Sequence, residues 1–374
     1  MALNLPVVIW CVFIFVLGLM VGSFLNVVVA RLPFEKSLLW PGSRCFTCLQ
    51  PILLRDNLPI LGYLRLRGKC RSCGTRFSSR YLWVELGTGL AFLALFIFEI
   101  VRPIHALPGI RFDPITSMPT SAAIGLFIYH ACFASLLIAA AVVDAEHRII
   151  PPLIPYTGAI IGIIGGVLMP WPWPYPANVV AAMPQGIPWI LQTRIDVAVQ
   201  PWPFWGPLFE FAPPGSWKLG LLNALIGALA GSLIVRWVKW LFEVGFGREA
   251  LGLGDADLLF MAGAFLGWQP AVMSLFVGAF AALFVFKLPA LLVNFVKGQP
   301  TERELPFGPG LAVGIAICWL AWPWLGTRLQ PIFFDWPTLA VTVGVVSVGM
   351  LAAGLLLRRP EEVPAAGEPA ANSK

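Results

Sequence analysis

Apolar runs of about membrane length recur along this chain, at Leu5–Ala30, Ala122–Val143 and Leu219–Trp240 among others. About 20 such residues wound as an α-helix span the ~30 Å hydrocarbon core of a bilayer. Only 12% of the residues are charged, against about 25% in a soluble domain. The mean hydropathy of +0.82 says the same. The chain therefore reads as an all-α polytopic membrane protein of about 8–9 transmembrane helices with a small cytoplasmic zinc-ribbon-like domain. Helices are expected near 5–30, 81–101, 122–143, 153–169, 219–242, 256–268, 271–294, 308–326 and 337–357, with a tight turn at Trp268-Gln269-Pro270. The first run is too long for the ~7–15-residue apolar region of a signal peptide, and no Lys or Arg precedes Arg31.

Basic residues orient these helices, because short cytoplasmic loops collect Lys and Arg. With the N-terminus outside, the inside segments 31–80, 144–152, 236–255, 287–307 and the tail hold 20 of the 25 Lys and Arg. The C-terminus is then cytoplasmic. The net charge of +6 reads as membrane topology, and no nucleic-acid partner is expected. The division that follows is a first helix over 1–30, a cytoplasmic domain over 31–80, a membrane domain over 81–357 and a disordered tail over 358–374. A Trp/Pro-rich external insert, 170–218, belongs along the outer leaflet, where indole rings meet lipid and water together.

Four of the seven cysteines form two CxxC pairs, Cys45/Cys48 and Cys70/Cys73, with 21 residues between the pairs. Two such knuckles can present four thiolates tetrahedrally to Zn²⁺. A domain of ~50 residues buries too little to stand alone, so a metal staple supplies what it lacks. A redox pair is the other reading of these thiols. Cys11, Cys132 and Cys318 sit in apolar runs and read as small hydrophobes.

Carboxylates inside membrane helices are expensive and mark function. Asp144 ends an apolar helix running inward, and Asp255 begins one running outward behind Gly252-Leu253-Gly254. The charge count, made without them, puts both at the cytoplasmic boundary. Paired carboxyls of which one keeps a proton can activate water against a peptide carbonyl and protonate the leaving amine. Taken singly, Asp255 is equally a helix cap and Asp144 the first residue of a polar loop. His105, His130 and His147 read as structural.

These blocks resemble, in order, the motifs of the type IV prepilin peptidases: GSFLNVVVARLP (22–33), RDNLPILGYLRLRGKCRSCGTRFSSRYLWVEL (55–86), VVDAEHRIIPP (142–152), GLGDADLL (252–259) and LPFGPGLAVG (305–314). The resemblance implies that Asp144 and Asp255 are the dyad of a GxGD-type aspartic protease in the bacterial inner membrane. It implies prepilins or type II secretion pseudopilins as substrates, cut after a Gly on the cytoplasmic face. It further implies methylation of the new N-terminus with S-adenosylmethionine, although no glycine-rich cofactor loop marks that site. Asp56, Glu35 and Glu85 are candidate polar contacts. Asp257 stands where the family often has Lys, and at ~200° around a helix from Asp255 it is expected outside the dyad. Two other readings are a peptidase without methylation, and a non-enzymatic scaffold or transporter with a zinc knuckle.

Overall fold

The computed structural model describes residues 5–103, 107, 109–113, 116–171, 173–174, 210–247, 251–297 and 307–357. Most of the Trp/Pro-rich insert, His105 and the 358–374 tail lie outside the described residues. Nine apolar helices are found among those described. They are α1 (Leu5–Arg31), α2 (Arg80–Phe96, continued by a π-helical turn Ile97–Val101), α3 (Ser121–His147), α4 (Leu153–Leu168) and α5 (Trp217–Phe246). Then follow α6 (Leu253–Leu266), α7 (Trp268–Ala281, running on through a π-helical stretch to Lys297), α8 (Phe307–Phe334) and α9 (Trp336–Leu357). Six of them, α1, α2, α3, α5, α7 and α9, are long and apolar enough to cross a membrane. All nine expected helices are present.

Local signals set the ends. The Thr120 and Ser216 hydroxyls accept the backbone N–H groups of Ala123 and Leu219 and open α3 and α5. Arg148 closes α3 in the left-handed conformation, φ 55°, with its N–H on the Asp144 carbonyl, and Pro151-Pro152 follow at once. The turn between α6 and α7 differs from expectation. It is made by Gly267 at φ 82°, and Trp268-Gln269-Pro270 already form the first turn of α7. Pro fits there because that turn needs no N–H from it.

Glycines let the helices touch. In α5 and α6, a Cβ added at Gly227 or Gly263 would run into the other's carbonyl. Between α7 and α8 a Cβ at Gly314 would strike the backbone of Gly278, and one at Gly278 that of Leu311, while Gly18 lies against Gly89 between α1 and α2. In lipid this close packing stands in for the hydrophobic drive. Helix α6 has 14 residues, about 21 Å of rise, too short for the hydrocarbon core. It need not meet lipid, because Ala256, Leu258, Leu259, Met261 and Ala262 are all buried against α4, α5 and α7. A helix apolar on every side belongs in an interior. Helix α9 is the opposite: it lies at the periphery on α5, where Gly354 packs on Gly245.

Candidate active site

Asp144 lies one turn before the end of α3, and Asp255 in the first turn of α6. The two carboxyls act on each other electrostatically across the end of the bundle. Each is held by one backbone N–H. Gly252 donates to Asp255 Oδ2 at 3.1 Å, and Gly308 donates to Asp144 Oδ2 at 3.1 Å. Asp255 thus does cap α6, as its position alone suggests. It is 8% exposed, while Asp144 is half-buried. The arrangement suits a pair that shares a proton at a dry boundary and opens on one side to a substrate.

Gly308 had no assigned role in the sequence, although it sits within the quoted block 305–314. A Cβ there would overlap the Asp144 carboxyl. The N-terminus of α8 therefore approaches Asp144 as closely as it does only because residue 308 is glycine. Of the two glycines before Asp255, Gly254 is the tight one: a Cβ would stand 3.1 Å from Ile150 Cβ, just beyond Asp144 in the chain. At Gly252 a Cβ would meet Asp255 Oδ2 at 3.6 Å, an ordinary contact.

Asp257 takes no part in the pair. It turns to α4, where the Tyr156 hydroxyl donates to its Oδ1 at 3.3 Å. His147 also turns aside: its ring is edge-on to Phe34, 5.4 Å between centroids. Its neighbour Glu146 pairs with Arg80 at the foot of α2. These two contacts fasten the end of α3 to the entry and exit of the cysteine domain. His130 is structural, as expected, but its partner was not anticipated. Its Nδ1 pairs with Glu99 Oε1, both side chains 1% exposed, and Trp319 closes edge-on at 4.8 Å. His130 lies 14 residues from Asp144 along α3, about 21 Å, so this pair belongs to the core and not to the site.

The cysteine domain brings its four thiols together. Cys45 Sγ lies 3.7 Å from Cys73 Sγ and Cys48 Sγ 3.9 Å from Cys70 Sγ, with all four within 4.8 Å of one another. Sulfurs at ~2.3 Å around a tetrahedral ion stand roughly 3.8 Å apart, so the cluster fits a metal. Thr75 pulls the Cys73 thiol down to about 6, while burial and the neighbouring thiols push that of Cys48 up to about 11. Between residues 32 and 79 only Cys45, Gly62 and Gly68 are buried. The Arg71 guanidinium grips Asp56 bidentately, at 2.5 and 2.7 Å, and holds its carboxyl below the usual range.

Comparison with known proteins adds an independent line. Residues 16–98 match the model of the bacterial peptidase A24 N-terminal domain, and residues 131–286 that of the type IV leader peptidase family. A prepilin leader peptidase/N-methyltransferase of Klebsiella pneumoniae is 32% identical over 279 residues, which is 73% of this chain and 92% of the relative. Another of that name, from Myxococcus xanthus, is 30% identical over 315 residues, 83% of this chain and 72% of the relative. A third, from Dickeya chrysanthemi, is 29% identical over 334 residues, covering 83% and 92%. No solved structure matches the chain.

Proposed function

The chain belongs to the type IV leader peptidase family, and from that membership we propose that it cleaves the leaders of prepilins or pseudopilins and methylates the new N-terminus. The relatives' names carry both activities, which disfavours a peptidase without methylation and a mere scaffold. The enzyme sits in the inner membrane with its N-terminus outside. Residues 31–80 serve methyl transfer, and 81–357 the peptidase. Zn²⁺, held by Cys45, Cys48, Cys70 and Cys73, is the structural metal; S-adenosylmethionine is the methyl donor.

What supports the peptidase reading is that Asp144 and Asp255, from two different helices, lie near enough for their charges to act on each other, at the end of the bundle that bears the cysteine domain. Two carboxyls this placed hold one proton between them. The ionised one takes a proton from water as its oxygen attacks the scissile carbonyl carbon. The protonated one gives its proton to the departing amine as the C–N bond breaks. Gly252 and Gly308 N–H groups fix one oxygen of each carboxyl, leaving the others for this exchange.

Purified protein given a prepilin peptide tests the reading. Asp144→Asn and Asp255→Asn should each lower cleavage by ~10²–10⁴-fold, with insertion and metal content unchanged. Mass spectrometry of the product should show one added methyl group. Cleavage at the wild-type rate in either variant would refute the assignment.

A further inference from the structure

The feet of α1 and α2 and the cysteine domain border a half-open cavity of about 580 Å³, on the same end of the bundle as the aspartates. That volume lies in the ~300–1,000 Å³ range of small-molecule sites. We infer that it is the binding site of the methyl donor, an adenosine-bearing sulfonium, with Glu85 facing the positive sulfur. The inference rests on the methyl-transfer reading above, and identifies where in the chain that activity resides.

The walls supply one group for each part of such a ligand. Phe46, Phe77 and Tyr81 follow one another edge-to-face, with ring centroids 5.9 and 6.3 Å apart, and a purine can stack on the face of one of them. Arg44 and Lys69 line the cysteine side, where a ligand carboxylate finds positive charge. The lining carboxylates are Asp56 and Glu85, and they differ. Asp56 is already neutralised by Arg71. Glu85, 9% exposed, accepts the Ile60 N–H at 2.7 Å and the Ser23 hydroxyl, both neutral, and no Lys or Arg pairs with it among the described residues. A buried carboxylate without a cation is costly unless a ligand brings one. A sulfonium does.

Two details mark this as a built site. Asn26, 4% exposed, gives its Nδ2 to the Tyr81 carbonyl at 3.0 Å, yet its buried Oδ1 has no partner. That acceptor has no surface open to the cavity, so Asn26 shapes the wall through its bond to Tyr81 and does not reach a ligand through Oδ1. Ile60 is held at φ 59°, ψ −53°, a region a β-branched residue rarely enters. The Glu85 carboxylate is what ties its N–H down, and strain of this kind persists where the surroundings over-determine it.

In the transfer itself, the lone pair of the new N-terminal amine attacks the methyl carbon. The C–S bond breaks with its electron pair on sulfur, leaving a neutral thioether, and the nitrogen gives up a proton to water. Arg80–Glu146 and Phe34–His147 join this domain to the helix of Asp144.

The test uses full-length protein in detergent with S-adenosyl-L-methionine as the probe, read by calorimetry, by photolabelling and by methylation of cleaved substrate. Glu85→Gln should weaken binding about tenfold or more. Ala30→Trp, which fills the cavity from the exposed face of α1, should abolish it. In wild type, ultraviolet crosslinking of the donor should label peptides within residues 43–85, a readout that needs no variant to fold. Label confined elsewhere, or wild-type affinity in both variants, overturns the assignment while leaving methyl transfer intact. Wild-type protein that neither binds the donor nor methylates overturns the methyl-transfer reading and this one with it.

Discussion

The aspartate pair and the cysteine cluster both gather residues that lie far apart in sequence, but they are held by opposite means. Asp144 and Asp255 stand on helices packed around one buried core, with α6 sheathed on every side. The cysteines stand on a segment with almost nothing buried, stitched by short turns, one ion pair and the thiols themselves. The first site is a product of helix packing. In the second, a metal at the four thiols would supply the energy that a core supplies elsewhere. The two also share a boundary, at Arg80–Glu146 and Phe34–His147.

Removing the metal is the strongest way to break this comparison. A strong chelator, or Cys70→Ser, should unfold residues 32–79, read as rapid proteolysis within that segment. Structural zinc contributes ~10 kcal/mol or more in small domains, and with so little of residues 32–79 buried no core would offset the loss of a metal that carried such a share. Donor binding and methylation should disappear, while cleavage stays within about threefold, the scale of a small barrier change. If cleavage falls as steeply as methylation, the shared boundary couples the sites and their independence is wrong.

The next test falls on the glycines. Gly308→Ala puts a methyl group into the space of the Asp144 carboxyl. Overpacking of that kind costs about 1–3 kcal/mol, so cleavage should drop by roughly 10–100-fold. Gly252→Ala keeps the N–H that Asp255 accepts, its φ of −78° suits any residue, and the added carbon makes only ordinary contacts. Cleavage there should stay within about threefold. Equal losses at both positions would show that the glycines act through backbone freedom and not through space. Asp257→Asn, which keeps an acceptor for Tyr156, should change cleavage less still.

These glycines show what the sequence does and does not disclose. Asp144 and Asp255 are legible because a charge in an apolar run is costly and because the Lys/Arg count fixes which end of each helix it occupies. The cysteine cluster is legible because a CxxC spacing has few uses. Gly308 is not, because its partner is 164 residues away and a glycine in a glycine-rich membrane protein carries no local signal. Glu99 was visible as a charge in an apolar run, but only packing discloses His130 beside it. The α6–α7 turn stands at Gly267, earlier than the sequence suggests, because Pro270 reads as a breaker although the first turn of a helix accepts it.

The smallest effect separates the two knuckles of the cysteine domain. In both, the residue four positions after the first cysteine donates its N–H back to that cysteine's carbonyl at 3.0 Å: Leu49 to Cys45, and Gly74 to Cys70. Both residues are left-handed, at φ 57° and 73°. Leucine in that conformation costs roughly 1–2 kcal/mol, and glycine costs nothing there but loses about 0.5–1 kcal/mol of unfolded-chain freedom. Leu49 is 66% exposed, so little burial is lost with its side chain. Leu49→Gly should therefore stabilise the metal-bound domain by a few tenths to about 1 kcal/mol, read as slower proteolysis of residues 32–79 at a fixed chelator concentration. Gly74→Leu meets nothing within 4 Å at its Cβ, so its cost is the backbone's alone, about 1 kcal/mol in the other direction. Changes of the same sign at the two positions would mean that side-chain contacts, and not the shared turn, set the stability of the knuckles.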